Sequence, residues 1–223
     1  MIIFEDVRKS YPTRHGRKVI IDGLNLVLDT SKNIGILGLN GSGKSTMLRL
    51  IGGVELPERG RIRRTSTISF PLGYSGCFAG NMSGRENAAF VARVYGYNVK
   101  EVVAFVEAFA ELGEYYDEPV KFYSSGMGAR LAFGVSIALE FDVYLIDEGF
   151  SAGDARFAAR AEAAFKERLK RSRLIIVSHT TETLLTYCDV GATLHAGKLT
   201  YYDNIKEAVA CYNEIVKDPS SGH

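Results

Sequence analysis

An α/β fold with a largely parallel sheet and an inserted helical lobe is predicted by three observations. Short apolar strands alternate with helical patterns through most of the 223 residues. A block of helical periodicity at 85–140 interrupts that alternation. The composition, 46% hydrophobic and 24% charged, supports a sizeable buried core and argues against disorder. The whole chain, 1–223, therefore reads as a single domain carrying a helical subdomain at about 85–140.

The elements follow in order. Ile2–Val7 is a strand, Tyr11–Gly16 a turn-rich piece, and Val19–Asp29 a strand or paired strands with alternating apolar positions. Ile34–Leu37 is a short apolar strand running into a glycine-rich loop. A helix through Met47, Leu48, Leu50 and Ile51 stops at Gly52-Gly53. Glu58-Arg59-Gly60 suggests a turn and Thr67–Phe70 a strand. Pro71–Gly84 is loop. Arg85–Leu112 carries two helices broken near Gly96-Tyr97-Asn98, and Ser124–Leu139 a third. Val143–Ile146 and Leu174–Val177 are buried-type strands on either side of a helix at Ala155–Arg171. Val190–Leu194, a turn at Gly197-Lys198, Leu199–Tyr202 and a helix near Ile205–Val216 close the sequence.

Several function classes are disfavoured at once. A formal charge of +1 gives no electrostatic reason to expect nucleic acid as a partner. Three cysteines without a CxxC pair argue against a disulfide framework or thiolate zinc site and point to a reducing compartment. The opening MIIFEDVRKS lacks the pattern of a signal peptide, and no apolar run approaches the ~20 residues that span a bilayer. A membrane role would run through a partner.

Gly38-Leu39-Asn40-Gly41-Ser42-Gly43-Lys44-Ser45 fits G-x-x-x-x-G-K-[ST] between a strand and a helix. Glycines let the backbone curl so that N–H groups converge on phosphate, and the helix N-terminus adds partial positive charge. Lys44 suits the β- and γ-phosphates as a mobile point charge. Ser45 offers a hydroxyl to Mg²⁺, and Thr46 is placed for the α-phosphate. Asp147 and Glu148 end the strand 143–146, at the edge of a parallel sheet where ligands sit. Asp147 suits Mg²⁺, and Glu148 suits a water that attacks phosphorus. His179, after the next strand, suits a γ-phosphate contact.

With these motifs in place, the chain resembles the nucleotide-binding subunit of ATP-binding-cassette (ABC) transporters along nearly its full length. The deciding stretch is Tyr123-Ser124-Ser125-Gly126-Met127, standing where that family keeps a Leu-Ser-Gly-Gly-Gln signature. The resemblance implies a RecA-like P-loop NTPase core with an N-terminal antiparallel β subdomain. It implies Mg²⁺-dependent ATP hydrolysis and a homodimer formed on ATP binding. Ser124, Ser125 and Gly126 of one copy would then contact ATP held by the other. Asp154, in Ser151-Ala-Gly-Asp154, would be the loop that communicates between subunits, and Tyr11 would stack on adenine.

Ser125 and Met127 depart from the signature. The chain also contains no glutamine, so the family's Q-loop glutamine has no counterpart; its position falls near Cys77-Phe78-Ala79. Within the family the nearest likeness is to capsule and polysaccharide exporters. It rests on Ile68–Pro71, Ser83–Asn87, Phe90–Gly96, Tyr123–Met127 and Gly153–Phe157, and the chain's end soon after the last helix fits the short capsule-type form. The expected partner is a permease of about six spans at the cytoplasmic face of a bacterial inner membrane. The alternatives are another cargo (a drug, peptide or lipid) and a non-transport cassette ATPase.

Overall fold

A computed structural model describes residues 1–14, 16–72, 76, 78–147 and 155–217. The described residues within 1–71, 142–147 and 172–217 form one compact unit, and those within 72–141 and 155–171 form a second.

The first unit holds two sheets. In the smaller, β1 (Ile2–Thr13) pairs antiparallel with β2 (Gly16–Leu28) on one side and with β4 (Arg59–Arg64) on the other. Strand β1 runs on through the stretch expected to be a turn. Tyr11 lies opposite Lys18, and Thr13 opposite Gly16. Strand β4 was not expected either. Its sequence RGRIRR has no apolar alternation because it is an exposed edge, fixed by backbone pairing and by ion pairs from Arg61 and Arg63 to Glu5.

The larger sheet has the order β5-β6-β7-β3-β8-β9. Its strands are β3 (Ile34–Leu37), β5 (Ile68–Leu72), β6 (Val143–Asp147), β7 (Arg173–Ser178), β8 (Val190–His195) and β9 (Lys198–Tyr202). Strand β3 is parallel to both β7 and β8, and β6 is parallel to β7; β9 returns antiparallel along β8. All four residues of β3 are buried, as its unbroken apolar run requires of a central parallel strand. Helix α1 (Lys44–Gly52) buries Met47, Leu48, Leu50 and Ile51 in a core shared with Ile34, Ile36, Leu145, Ile175 and Val177. Each such side chain contributes about 1.5–3 kcal/mol by leaving water. Arg64 closes the helix C-terminus, donating from Nε to Ile51 O at 2.6 Å and from Nη2 to Leu50 O at 2.5 Å. The short helix α6 (Thr181–Tyr187), too brief to announce itself by periodicity, leads into β8, and α7 (Ile205–Lys217) follows β9.

The second unit is helical. Helix α2 (Gly84–Val94) opens with a reciprocal capping box between Ser83 and Glu86. Helix α3 (Val99–Ala110) is capped by Asn98, whose side chain accepts from Lys100 N at 3.1 Å. The break between them falls at the predicted Gly96-Tyr97-Asn98. Helix α4 (Ser125–Ala138) is apolar around most of its circumference, which marks it as the central helix of this unit. Phe133 of α4 stacks on Phe109 of α3 with centroids 6.0 Å apart, and Phe157 of α5 (Ala155–Leu169) meets Phe109 edge-on at 5.7 Å.

Candidate functional site

The loop between β3 and α1 is shaped by its own packing. Gly43 sits at φ 108°, ψ 13° and supplies no side chain to cap the first turn of α1. Its N–H groups are therefore not claimed by a cap. A Cβ at Gly43 would fall 2.2 Å from Ile20 Cγ2, and one at Gly38 would fall 2.5 Å from Ser42 Oγ and 2.7 Å from Leu194 O. Both positions exclude any side chain. Lys44 is only 6% exposed, and its ammonium donates to Gly38 O at 2.9 Å and Leu39 O at 3.3 Å, so the loop curls around a cation. Ser42 Oγ is buried without a hydrogen-bond partner among the described residues. A curled glycine-rich loop at a helix N-terminus, a central ammonium and an unsatisfied hydroxyl fit phosphate oxygens. Ser45 is exposed at the mouth and Thr46 is buried on the first turn.

Sheet register brings the other expected residues of this unit to the same edge. Leu37 pairs with Ser178, and Asp147 pairs with Val177. The carboxyl ends of β3, β7 and β6 are therefore successive neighbours. With strands ~4.8 Å apart, the Asp147 strand lies about 10 Å from the strand that feeds the loop. His179 follows β7 directly and is exposed, its turn fixed by Thr180 N donating to Ser178 Oγ at 2.9 Å. The carboxylate of Asp147 and the hydroxyl of Ser45 are hard oxygen donors of the kind Mg²⁺ prefers. Glu148 and Asp154 lie outside the described residues, as do Ser151 and Cys77.

Tyr11 is on β1 and not in a turn, and its side chain is engaged. The hydroxyl donates to Glu55 Oε1 at 2.5 Å and accepts from Arg49 Nη2 at 3.3 Å. Opposite it, Lys18 donates to Gly41 O of the loop at 2.9 Å. Lys18, Arg49 and Glu55 were not anticipated. Lys18 becomes visible only through strand pairing. The position of Arg49, one helical turn after Thr46, was the available hint.

In the second unit, Ser124 caps α4, accepting from Met127 N at 3.2 Å, and Ser124 and Ser125 are exposed. A Cβ at Gly126 would meet only Ser124 Oγ, at 3.9 Å, among the described residues. The Tyr123 hydroxyl donates to Tyr115 O at 2.6 Å and fixes the approach to the helix. Ala79, which stands near the expected Q-loop position, is gripped by buried Asn87. Its N–H donates to Asn87 Oδ1 at 2.9 Å, and Asn87 Nδ2 donates back to Ala79 O at 3.2 Å. Ala79 is thus held by the Asn87 side chain, without a glutamine.

A family model described as ABC transporter matches residues 21–151. The chain belongs to the ABC transporter family. This ABC protein is 45% identical over 215 residues to the capsule polysaccharide export ATP-binding protein CtrD of Neisseria meningitidis serogroup B, covering 96% of this chain and 100% of that protein. It is 45% identical to the polysialic acid transport ATP-binding protein KpsT of Escherichia coli, covering 95% of this chain and 96% of that one. Against the ATP-binding protein BexA of Haemophilus influenzae the identity is 43%, over 97% of this chain and all of the relative. Among solved structures, the dimeric post-hydrolysis state of the ATP-binding cassette MJ0796 bound to ADP and Pi superposes with a TM-score of 0.69 at 18% identity. That match covers 90% of this chain and 98% of the solved one. The ABC cassette fold accounts for both the antiparallel sheet and the larger mixed sheet.

Proposed function

We propose that this chain is the ATP-binding and ATP-hydrolysing subunit of an exporter that moves capsular or other lipid-linked polysaccharide across a bacterial inner membrane. The observation that carries the cargo is full-length likeness, at 43–45% identity, to proteins named for capsule polysaccharide export, polysialic acid transport and ATP binding. The nucleotide reading rests on the phosphate cradle.

In this reading the whole chain is one ATPase domain with a helical subdomain at about 85–140. Residues Gly38 to Thr46 hold the triphosphate by backbone N–H groups, with Lys44 leaving its loop carbonyls for the β- and γ-phosphates. Tyr11 stacks on adenine. Ser45 and Asp147 hold Mg²⁺, which supplies neutralising charge at the phosphates. Glu148 orients and polarises the attacking water, and His179 contacts the γ-phosphate. Two copies close head to tail, so that Ser124, Ser125 and Gly126 of one meet the nucleotide of the other at the start of α4, and Asp154 links the subunits. ATP touches both copies only when they are closed, and that differential affinity drives the switch. A separate permease of about six spans docks on 71–97 and carries the subunit at the cytoplasmic face.

Affinity capture of the tagged chain from its own membranes tests the partner, and glycan analysis of a deletion strain tests the cargo. The expected results are a co-purifying polytopic protein and loss of surface polysaccharide with material retained inside. A deletion strain with normal surface glycan would overturn the cargo assignment.

A further inference from the structure

Outside the residues assigned above, one charged cluster joins the base side of the site to its phosphate side. Arg49 stands on α1, one turn beyond Thr46. Its Nη2 donates both to Thr46 Oγ1 at 3.1 Å and to Tyr11 Oη at 3.3 Å, while Nε donates to Glu55 Oε2 at 3.0 Å. Glu55 closes the ring by accepting from Tyr11 at 2.5 Å and pairing with Lys9 at 2.7 Å. Lys9 Nζ also lies over the Tyr11 ring, 5.4 Å from its centroid. Burial opposes ionisation of Glu55, but the bonds from Lys9, Tyr11 and Arg49 outweigh it and hold the carboxyl down at about 2.

This is not an ordinary surface ion pair. The Arg49 and Glu55 side chains are 27% and 21% exposed, and each makes several bonds in a closed ring. The geometry needs a planar fork, because one guanidinium must reach a carboxylate, a phenol and a hydroxyl at once. A lysine ammonium cannot span those directions.

We propose that Arg49 is a positioning residue that fixes Tyr11 relative to Thr46, setting the span between base platform and phosphate cradle and so favouring a nucleoside triphosphate over bare triphosphate. The inference rests on the roles given above to Tyr11 and Thr46. Glu55 holds the guanidinium in place from the far side.

The test is a double-mutant cycle on the full chain, read by calorimetric titration with Mg·ATP and, in parallel, Mg·tripolyphosphate. Arg49→Lys should weaken ATP binding about five- to tenfold, as loss of one or two oriented hydrogen bonds implies. Tripolyphosphate affinity should change less than about twofold. On a Tyr11→Ala background the same substitution should cost ATP less than about twofold, because its target is gone. Glu55→Gln, which keeps shape and loses charge, should reproduce the ATP-selective loss in weaker form. A merely structural role would lower melting temperature without moving the ratio of the two affinities. Equal losses for both ligands, full cost on the Tyr11→Ala background, or no loss would overturn the inference. A wild-type chain that bound no Mg·ATP would instead overturn the nucleotide reading itself, and the inference with it.

Discussion

The glycines at 38 and 43 and the glycine at 126 answer to different neighbours. In the phosphate loop each glycine is required by atoms of the same chain: Ile20 presses on Gly43, and Ser42 and Leu194 press on Gly38. At the start of α4, a side chain at Gly126 would meet only Ser124 Oγ, at 3.9 Å, among the described residues. The first region is a site that a lone chain builds for itself. The second is an exposed helix N-terminus where Ser124 caps α4 and, among the described residues, nothing packs closely at Gly126, which is how half of a site would look if a second copy completed it. The contrast teaches that the loop glycines are required by the chain's own packing, whereas Gly126 is not so required by any described residue.

The largest way to sharpen the comparison is through the chemistry. Glu148→Gln should slow ATP turnover by about 10²–10⁴-fold while leaving nucleotide affinity within about threefold, as expected for loss of a base that acts on water and not on binding. Steady-state phosphate release beside calorimetry checks this, and undiminished turnover would remove Glu148 from the reaction.

Next come the glycines themselves. Gly43→Ala forces a Cβ onto Ile20 at a φ of 108° and should cost at least ~1–3 kcal/mol, a fall in Tm of roughly 3–10 °C, together with nucleotide affinity. Gly126→Ala should leave Tm unchanged or slightly raised, since alanine favours a helix, yet lower ATPase turnover about tenfold or more through a misplaced contact between copies. Thermal melts and ATPase assays on both variants break the comparison if Gly126→Ala proves the more destabilising.

The smallest effect concerns acid. Glu55 is held from its ordinary 4.5 down to about 2, so it stabilises the native chain fully above pH 4.5. That stabilisation fades as pH falls from 4.5 towards 2. Glu55→Gln should therefore be the less stable chain at neutral pH, and the gap should close across that window. Melting curves taken from pH 7 downwards would show a constant gap if Glu55 were unperturbed.

Much of this was legible in the chain because its signals are local. The buried run Ile34–Leu37 followed by the glycine-rich loop announces a central strand and a phosphate cradle together. Gly96 and Asn98 mark a helix break and a cap within three residues. Ser124 announces the start of α4 through its own capping bond. What escaped depends on pairing over distance. The arginine-rich β4 has no apolar period because it is an exposed edge, and Tyr11 extends a strand only because Lys18 lies opposite it. The bridge from Arg49 joins residues 11, 46, 49 and 55, and no spacing rule connects the first of these to the others. Asn87, which grips Ala79 where a glutamine was sought, is likewise a matter of how a loop folds back on a helix.

The central claim is that residues 38–46 of a lone chain grip the triphosphate of Mg·ATP. It is tested most directly by calorimetric titration of Mg·ATP into the wild-type chain and into Lys44→Ala, both verified as folded. The account predicts saturable binding at one site per chain for the wild type and affinity weakened at least a hundredfold, by roughly 3 kcal/mol, when the ammonium is removed. Equal affinity in the two proteins, or no saturable heat with the wild type, would contradict it.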